Sequence, residues 1–250
     1  MSFEFTKENI DTYLKELAKE YRKQTGKRIP AELILIGGAS VLVNYGFRNM
    51  TTDIDALFVG ASAMKDAIAR VGDRFDLPAG WLNEDFTHTD SYTPRLAEFS
   101  KYYRTYANVL TVRTVSAEHL VAMKLRSGRQ YKSDLSDVLG ILSEHQRQGT
   151  PLSLERIEKA AADLYGGFAA LPEPSRRFIA NVMENGDFQA LYAQVVCAEQ
   201  ETRELLLDFE KDRARAVSPE NVDAVAETLQ QKTDRASVIA ALRERQSNTR

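Results

Sequence analysis

The segment "LIGGASVLVNYGFRNMTTDIDALF", residues 35–58, places a glycine-rich turn and a pair of acidic residues close together. Gly37 and Gly38 follow one apolar run, and Asp53 and Asp55 occupy alternate positions at the start of the next. The packing of an apolar core requires neither feature. The segment therefore predicts a site that binds an anion and a cation together.

The two glycines lie between a predicted strand at 32–36 and a predicted helix that ends near Gly46. Glycine adopts backbone angles that other residues avoid, and it has no side chain to block a ligand. Free N–H groups at the start of a helix point towards an anion, and Ser40 adds a hydroxyl at the same end. This turn predicts a phosphate-binding site, while a tight turn that needs glycine only for steric reasons is the alternative.

The two acidic residues form the second half of the motif. Asp53 and Asp55 share one face of a predicted strand at 53–59, and Ile54 packs behind them into the core. Two neighbouring carboxylates repel each other unless a cation or hydrogen bonds compensate them. Mg²⁺ or Mn²⁺ fits, because these hard ions take oxygen ligands and bridge to phosphates. The alternative is that Asp53 caps the turn after residues 51–52 and Asp55 faces solvent.

Strands alternate with helices over the first 149 residues. Apolar and β-branched runs predict three strands, at 32–36, 53–59 and 108–115. Helical spacing of apolar residues predicts further helices at 6–25, 62–75, 116–128 and 134–149, and Ser116 is a predicted N-cap. The pattern predicts an α/β (α+β) fold with a small mixed-sheet core and an N-terminal helix.

The sequence changes character near residue 150. From residue 154 to the end it has helical periodicity and no predicted strand. We therefore predict an α/β domain at 1–149 and an all-helical C-terminal domain at 150–250.

Composition limits the classes of protein that the chain can represent. Its 250 residues, 43% hydrophobic and 28% charged, are typical of a globular protein. The single cysteine, Cys197, excludes an intramolecular disulfide and a zinc site built from cysteines. Residues 1–17 lack the pattern of a signal peptide, and no apolar run approaches ~20 residues. We expect a cytoplasmic protein with no membrane-spanning segment.

Local charge differs from the net charge of −3. Between residues 95 and 132 only Glu98 and Glu118 oppose the basic residues, which are Arg95, Lys101, Arg104, Arg113, Lys124, Arg126, Arg129 and Lys132. Such a stretch would attract a polyphosphate or an RNA backbone. A solvated helix face with scattered surface charge explains the same pattern equally well.

The glycine turn, Ser40 and the Asp53-Ile54-Asp55 triplet together resemble the signature of the DNA polymerase β-type nucleotidyltransferase superfamily, with a spacer at the long end of its range. Residues 122–142 are similar to its toxin-like branch, which includes the AbiEii and MenT proteins and the related DUF6036 group. In those families a helical lysine is followed by an arginine and by Asp-x-x-Asp, as here in Lys124, Arg129, Asp134 and Asp137. The resemblance covers roughly residues 30–142.

This resemblance implies a metal-dependent nucleotidyltransferase that uses an NTP and Mg²⁺ or Mn²⁺. It implies that Asp53 and Asp55 are the metal ligands. It also implies that Gly37, Gly38 and Ser40 hold the β- and γ-phosphates of the NTP.

The pattern of a helical lysine, an arginine and Asp-x-x-Asp supplies further expected roles. The resemblance implies that the positive charge of Lys124 binds the triphosphate and that Arg129 binds the triphosphate as a second cation. Asp137 lies one turn after Asp134 and either pairs with Lys132 or caps the helix.

Many related enzymes have a third carboxylate on a neighbouring strand, but the predicted strand at 108–115 contains none. This departure leaves either a site with two metal-binding acids or a site in which Asp134 is the third acid, as general base or ligand. Two weaker candidates are Glu84 and Asp85.

The leading functional hypothesis is transfer of a nucleotidyl group from an NTP to a hydroxyl of RNA, with tRNA as one candidate, or of a protein. The resemblance extends this to the toxin of a toxin–antitoxin system, with a cognate antitoxin protein as a partner. The alternative is a catalytically degenerate protein of the same fold that binds nucleotide or a partner protein. A glycosyltransferase is disfavoured, because only 52 residues precede Asp53.

Overall fold

The computed structural model describes residues 3–26, 29–59, 63–129, 132–212, 217–218, 221–222 and 224–230. Within these ranges five strands form one sheet, and they are β1 (Ala31–Leu35), β2 (Ile54–Val59), β3 (Leu82–Asn83), β4 (Ser100–Tyr106) and β5 (Leu110–Val115). Their order is β3-β2-β1-β5-β4. β1 runs antiparallel to β2 and parallel to β5, so the sheet is mixed, as predicted.

Helices cover the sheet and extend beyond it. Those of the first part are α1 (Lys7–Thr25), α2 (Gly37–Asn44), α3 (Ala63–Phe75), α4 (Ala117–Ser127) and α5 (Asp134–Arg147). Those of the C-terminal part are α6 (Leu154–Tyr165), α7 (Glu173–Asn185) and α8 (Phe188–Asp212). The described residues after 150 contain no strand, so the all-helical prediction is confirmed for them.

The sheet has an apolar layer on each face because β1 is apolar at almost every position. Leu33 and Leu35 of β1 belong to one core cluster, which also contains buried residues of α1 and α3. Ile34, which points the other way, belongs to a second cluster with residues of α4, α5 and α6. β1 is therefore the central strand from which both layers are built.

The second cluster continues across residue 150. It joins Leu120 and Val138 to Ile157 of α6, Ile179 of α7 and Phe188 of α8. The C-terminal helices thus pack on α4 and α5 through a shared apolar core. The division into domains at 149 and 150 stays a prediction.

Two of the strands, β3 and β4, were not predicted from the sequence. β4 has the sequence SKYYRTY, and its exposed polar positions do not alternate with buried apolar ones. It is an edge strand held by antiparallel pairing to β5. β3 has only two residues, too short for a periodic signal.

The helix after the glycine turn is shorter than expected. It ends at Asn44, and Tyr45 rather than Gly46 is its C-cap, in an extended conformation. None of the helices in the described ranges combines the length and the apolar character that crossing a membrane requires.

Candidate active site

The glycine turn begins α2 directly after β1 and faces the acidic strand. Gly37 has a φ of +53°, in the left-handed region that favours glycine. A Cβ added at Gly37 would lie 3.4 Å from Oδ2 of Asp55. Ile36, the N-cap of α2, makes no side-chain hydrogen bond to the first turn. The turn and the carboxylate therefore lie opposite each other, as the sequence pattern predicts.

Gly38 is required for a different reason. A Cβ at this position would lie 2.8 Å from Oγ1 of Thr51 and 2.9 Å from Nη2 of Arg48. Arg48 Nη1 in turn donates to Oδ2 of Asp137 at 2.5 Å. A methyl group at residue 38 would therefore push against a side chain that is fixed by an ion pair.

We expect Gly38→Ala to lower the free energy of unfolding by about 1–3 kcal/mol, the usual effect of overpacking a filled site. Gly46→Ala is the matched control, because a Cβ at Gly46 meets nothing within 4 Å. Urea denaturation of both variants measures the difference. Equal midpoints for the two variants would contradict this account of Gly38.

Ile54, which is fully buried, is the first residue of β2, so Asp53 lies just before the strand and not on it as predicted. The side chain of Asp55 points to the face of β2 opposite Ile54. Asp53 is exposed and Asp55 is partly buried. Burial, together with the negative charge of Asp53, raises the pKa of Asp55 to about 6, although the positive charges of Lys132, Lys124 and Arg129 act in the opposite direction. The site thus holds one carboxyl whose ionised form is less stable than that of an ordinary aspartate and would be favoured by a nearby cation.

The raised pKa of Asp55 predicts a pH-dependent stability. Protons bind the folded state more tightly than the unfolded state between the ordinary pKa of 3.8 and about 6, so stability falls as pH rises through this window. Asp55→Asn removes the effect. In EDTA, we expect Asp55→Asn to be more stable than wild type by about 1–3 kcal/mol at pH 8 and equally stable at pH 4. Thermal unfolding across this range measures the difference, and a difference independent of pH would contradict the prediction.

A cleft of about 750 Å³ contains both halves of the motif. Gly37, Gly38, Asp53 and Asp55 line it together. Its volume lies within the range of 300–1,000 Å³ typical of small-molecule sites. The residues of the lysine, arginine and Asp-x-x-Asp pattern also line it, and they are Lys124, Arg129, Asp134 and Asp137.

Lys124 is the centre of an ion cluster in this cleft. Its Nζ lies 2.8 Å from Oδ1 of Asp134 and 2.9 Å from Oδ2 of Asp137, and its side chain is only 7% exposed. Burial opposes the charge of Lys124, but Asp134 and Asp137 outweigh it and raise the pKa of the ammonium group. The lysine is therefore charged and held by two carboxylates.

Arg129 and Arg48 complete the cluster at its two ends. Arg129 Nε donates to Oδ2 of Asp134 at 2.8 Å. Burial would raise the pKa of Asp134, but Lys124 and Arg129 outweigh it and hold the pKa well below its usual range. Asp137 pairs with Lys124 and Arg48, and the structure shows this in place of the pairing with Lys132 considered from the sequence.

Three other candidates lie outside the centre of the cleft. Ser40 is fully buried, does not line the cleft, and its Oγ has no hydrogen-bond partner within the described ranges. Glu84 accepts a hydrogen bond from the backbone N–H of Phe58 on β2. Asp85 is exposed and lines the cleft, whereas Glu84 is not among the residues that line it.

The basic stretch at 95–132 is largely engaged with protein partners. Arg104 pairs with Asp11, and Arg113 donates to the backbone and side chain of Ser100. Arg126 donates to the backbone oxygens of Asp90 and Ala170. Together with Lys124 and Arg129, these contacts account for five of the eight basic residues, which weakens the stretch as evidence for an RNA-binding face.

Ser116 is the N-cap residue that the sequence predicts, but its hydroxyl contacts a side chain and not the helix backbone. It is the N-cap of α4, but its side chain makes no bond to the helix backbone. Its Oγ lies 2.7 Å from Nδ1 of His119, whose ring stacks on Phe99 with 4.0 Å between ring centroids.

Sequence reasoning missed the wall of the cleft that α8 provides. Its lining residues are Tyr192, Val196, Glu199, Gln200 and Arg203. They recur every three to four residues and so occupy one face of the helix. That spacing is visible in the sequence, but nothing there indicates that this face meets the cleft.

The residues present fit a divalent metal ion. The Asp55 carboxylate lies beside the turn, and a hard cation would relieve its repulsion by Asp53. In the part of the chain that the structure describes, no group of three or more His, Cys, Asp or Glu side chains is arranged to hold a metal. Asp53 and Asp55 would therefore supply two carboxylates, and Mg²⁺ commonly takes one or two carboxylates and completes its shell with waters and substrate phosphates.

Comparison with known proteins gives one match. A family model described as "Nucleotidyltransferase of unknown function (DUF6036)" matches residues 12–163. The matched segment includes the glycine turn, the acidic strand and the Lys124 cluster, and extends into α6. No curated protein and no solved structure matches the chain significantly.

Proposed function

The chain belongs to the DUF6036 family of nucleotidyltransferases, and on that premise we propose that it transfers a nucleotidyl group from an NTP to a hydroxyl in a metal-dependent reaction. One observation carries the proposal. The Asp55 carboxylate lies against the glycine turn of α2, and both line a cleft whose volume suits a nucleotide. A site for the metal ion and a site for phosphate oxygens would therefore be adjacent.

In the proposed reaction the acceptor oxygen attacks the α-phosphorus of the NTP. The bond between the α-phosphorus and the bridging oxygen breaks, pyrophosphate leaves, and the hydroxyl proton passes to solvent or a base. Gly37 and Gly38 would hold phosphate oxygens through backbone N–H groups. Asp53 and Asp55 would hold Mg²⁺ or Mn²⁺, which when bound supplies Lewis-acid activation and neutralises phosphate charge.

The Lys124 cluster would supply positive charge to the same cleft. Lys124, Arg129 and Arg48 contribute three positive charges and Asp134 and Asp137 two negative ones, so the cluster has a net charge of +1. A positive environment stabilises the charge that develops on the leaving pyrophosphate.

Asp134 has a different role in this proposal from the general base considered above. A carboxylate whose pKa is held well below its usual range accepts a proton poorly at neutral pH. We propose instead that Asp134 fixes Lys124 and Arg129 in place. Ser40 would support the turn from behind, since its hydroxyl is buried.

The direct test uses each NTP labelled either at the α-phosphate or at the γ-phosphate. Each is incubated with the protein, Mg²⁺ or Mn²⁺, and total tRNA, other RNA or protein acceptors. We expect α-label on an acceptor, no γ-label, and loss of transfer in EDTA. Transfer of the γ-label would indicate a kinase, and absence of any transfer would contradict the proposal.

The toxin role is proposed from the family resemblance alone. Induced expression of the wild-type chain would then arrest bacterial growth, whereas expression of Asp55→Asn to the same level would not. Growth arrest that Asp55→Asn also causes would exclude a toxin that acts by nucleotidyl transfer. A cognate antitoxin would be identified by its ability to relieve the arrest.

A degenerate, binding-only protein is the second candidate. It is favoured by the absence of an acidic residue on β5, where related enzymes have a third carboxylate. Calorimetry discriminates the two, because a degenerate protein would bind NTP equally with and without Mg²⁺ and would transfer no label.

A further inference from the structure

The first turn of α5 is capped by a residue from another helix. Ser133, its own N-cap residue, makes no side-chain hydrogen bond to the turn. Instead, the backbone N–H groups of Leu135 and Ser136 both donate to Oε1 of Glu199 on α8, each at 3.1 Å. The first N–H groups of a helix have no partner within the helix, so Glu199 satisfies two of them from outside.

This cap lies in the same turn as the carboxylates of the ion cluster. Asp134 and Asp137 flank the two capped residues and bind Lys124. A change in the position of this turn would therefore move both carboxylates relative to the lysine. Glu199 also lines the cleft, so the cap joins the C-terminal helices to the proposed active site.

Burial and hydrogen bonding act in opposite directions on the charge of Glu199. It is 4% exposed, and its pKa is raised to about 7 because burial outweighs the hydrogen bonds from Ser136 and Leu135, which lower the pKa. An apolar residue of similar size would avoid the cost of burial but would leave the N–H groups of Leu135 and Ser136 without this partner. Holding the first turn of α5 therefore explains why a carboxylate occupies the position.

We propose that Glu199 is a positioning residue, which through its hydrogen bonds to the first turn of α5 sets the placement of Asp134 and Asp137 around Lys124. The C-terminal helix α8 is then part of the catalytic unit and not a separate interaction surface. This inference rests on the proposed nucleotidyl transfer for its catalytic consequence, but its structural part is independent of it.

The test compares Glu199→Gln with Glu199→Met in the full-length chain. The two side chains are similar in length and both uncharged, but only glutamine offers an oxygen to the capped N–H groups. Glu204→Ala, at an exposed glutamate on the same helix, is the control. Glu199→Ala replaces Glu199→Met if the methionine variant does not fold.

The first measurement is amide hydrogen exchange at Leu135 and Ser136 without substrate. We expect exchange about 10-fold faster in Glu199→Met, the loss that corresponds to one hydrogen bond of about 1.4 kcal/mol, and near wild-type exchange in Glu199→Gln. Unchanged exchange in Glu199→Met would overturn the inference, whether or not the chain transfers nucleotides.

The second measurement is the rate of nucleotidyl transfer per folded molecule. We expect kcat to fall by about 10-fold or more in Glu199→Met, with KM for the NTP changed less than threefold, and recovery of most of kcat in Glu199→Gln. A purely structural role would change thermal stability and leave kcat unchanged, which would also overturn the inference. Absence of transfer in the wild type would refute the proposed function, while the exchange measurement would still decide whether Glu199 holds α5.

Discussion

Replacing Asp55 with asparagine is expected to lower the rate of nucleotidyl transfer by roughly 10²-fold or more, which corresponds to a loss of about 2.7 kcal/mol of transition-state stabilisation. Asparagine has nearly the same shape as aspartate, but its neutral oxygen is a weak ligand for Mg²⁺. Asp55 lies against the glycine turn, so this change would remove charge from the place where, in the proposed function, the metal ion would meet the phosphates.

Steady-state transfer of α-labelled NTP in saturating Mg²⁺ measures the effect. Asp73→Asn is the control, because Asp73 is an exposed acid on α3 that does not line the cleft. Thermal unfolding of Asp55→Asn in the same Mg²⁺ buffer separates a loss of rate from a loss of folded protein. A rate within threefold of wild type would exclude Asp55 as a metal ligand.

Replacing Lys124 with methionine is expected to lower the free energy of unfolding by about 3–5 kcal/mol, the range for breaking a buried ion pair. Asp134 and Asp137 are 1% and 2% exposed and would lose the cation that lies between them. Each would keep one arginine, but the two buried carboxylates would lose the ammonium group that both of them bind. Urea denaturation at pH 7 measures the loss.

Two comparisons make this second prediction specific. Lys19→Met removes a half-exposed lysine that pairs with Glu16, and we expect it to change stability by no more than about 0.5 kcal/mol. Lys124→Met/Asp134→Asn should recover part of the lost stability, because it removes one of the uncompensated charges. A double variant as unstable as the sum of its two single variants would contradict a charge-based explanation.

The central part of the fold could be predicted because its signals are local. The apolar run of β1, the period of α1 and the glycine turn each depend on a few consecutive residues, and each lies close to its predicted position. β4 could not be predicted, because most of its residues are exposed and its sequence has no alternation of apolar and polar positions, so only its pairing with β5 defines it as a strand. The pairing of β4 with β5 is a contact of the folded chain that the sequence pattern of β4 does not indicate.

In the candidate site, too, some features follow from local sequence and others only from the tertiary structure. The approach of Asp55 to the glycine turn follows from the alternation of strand residues and from the antiparallel pairing of β1 and β2. The partners of Lys124 could be predicted from the sequence only in part. The sequence places Asp134 and Asp137 on one face of α5, but only the packing of α4 against α5 decides that a single lysine lies between them.

By itself, the sequence determined the elements whose residues interact with near neighbours: the glycine turn, the acidic strand and the helical character of the C-terminal part. Only the tertiary structure decided that Ser40 is buried, that Arg48 reaches Asp137 and that Glu199 caps α5. Arg48 is 89 residues from its partner and Glu199 63 residues from Ser136. Contacts over such separations depend on how whole helices pack, and no period or local motif records that packing.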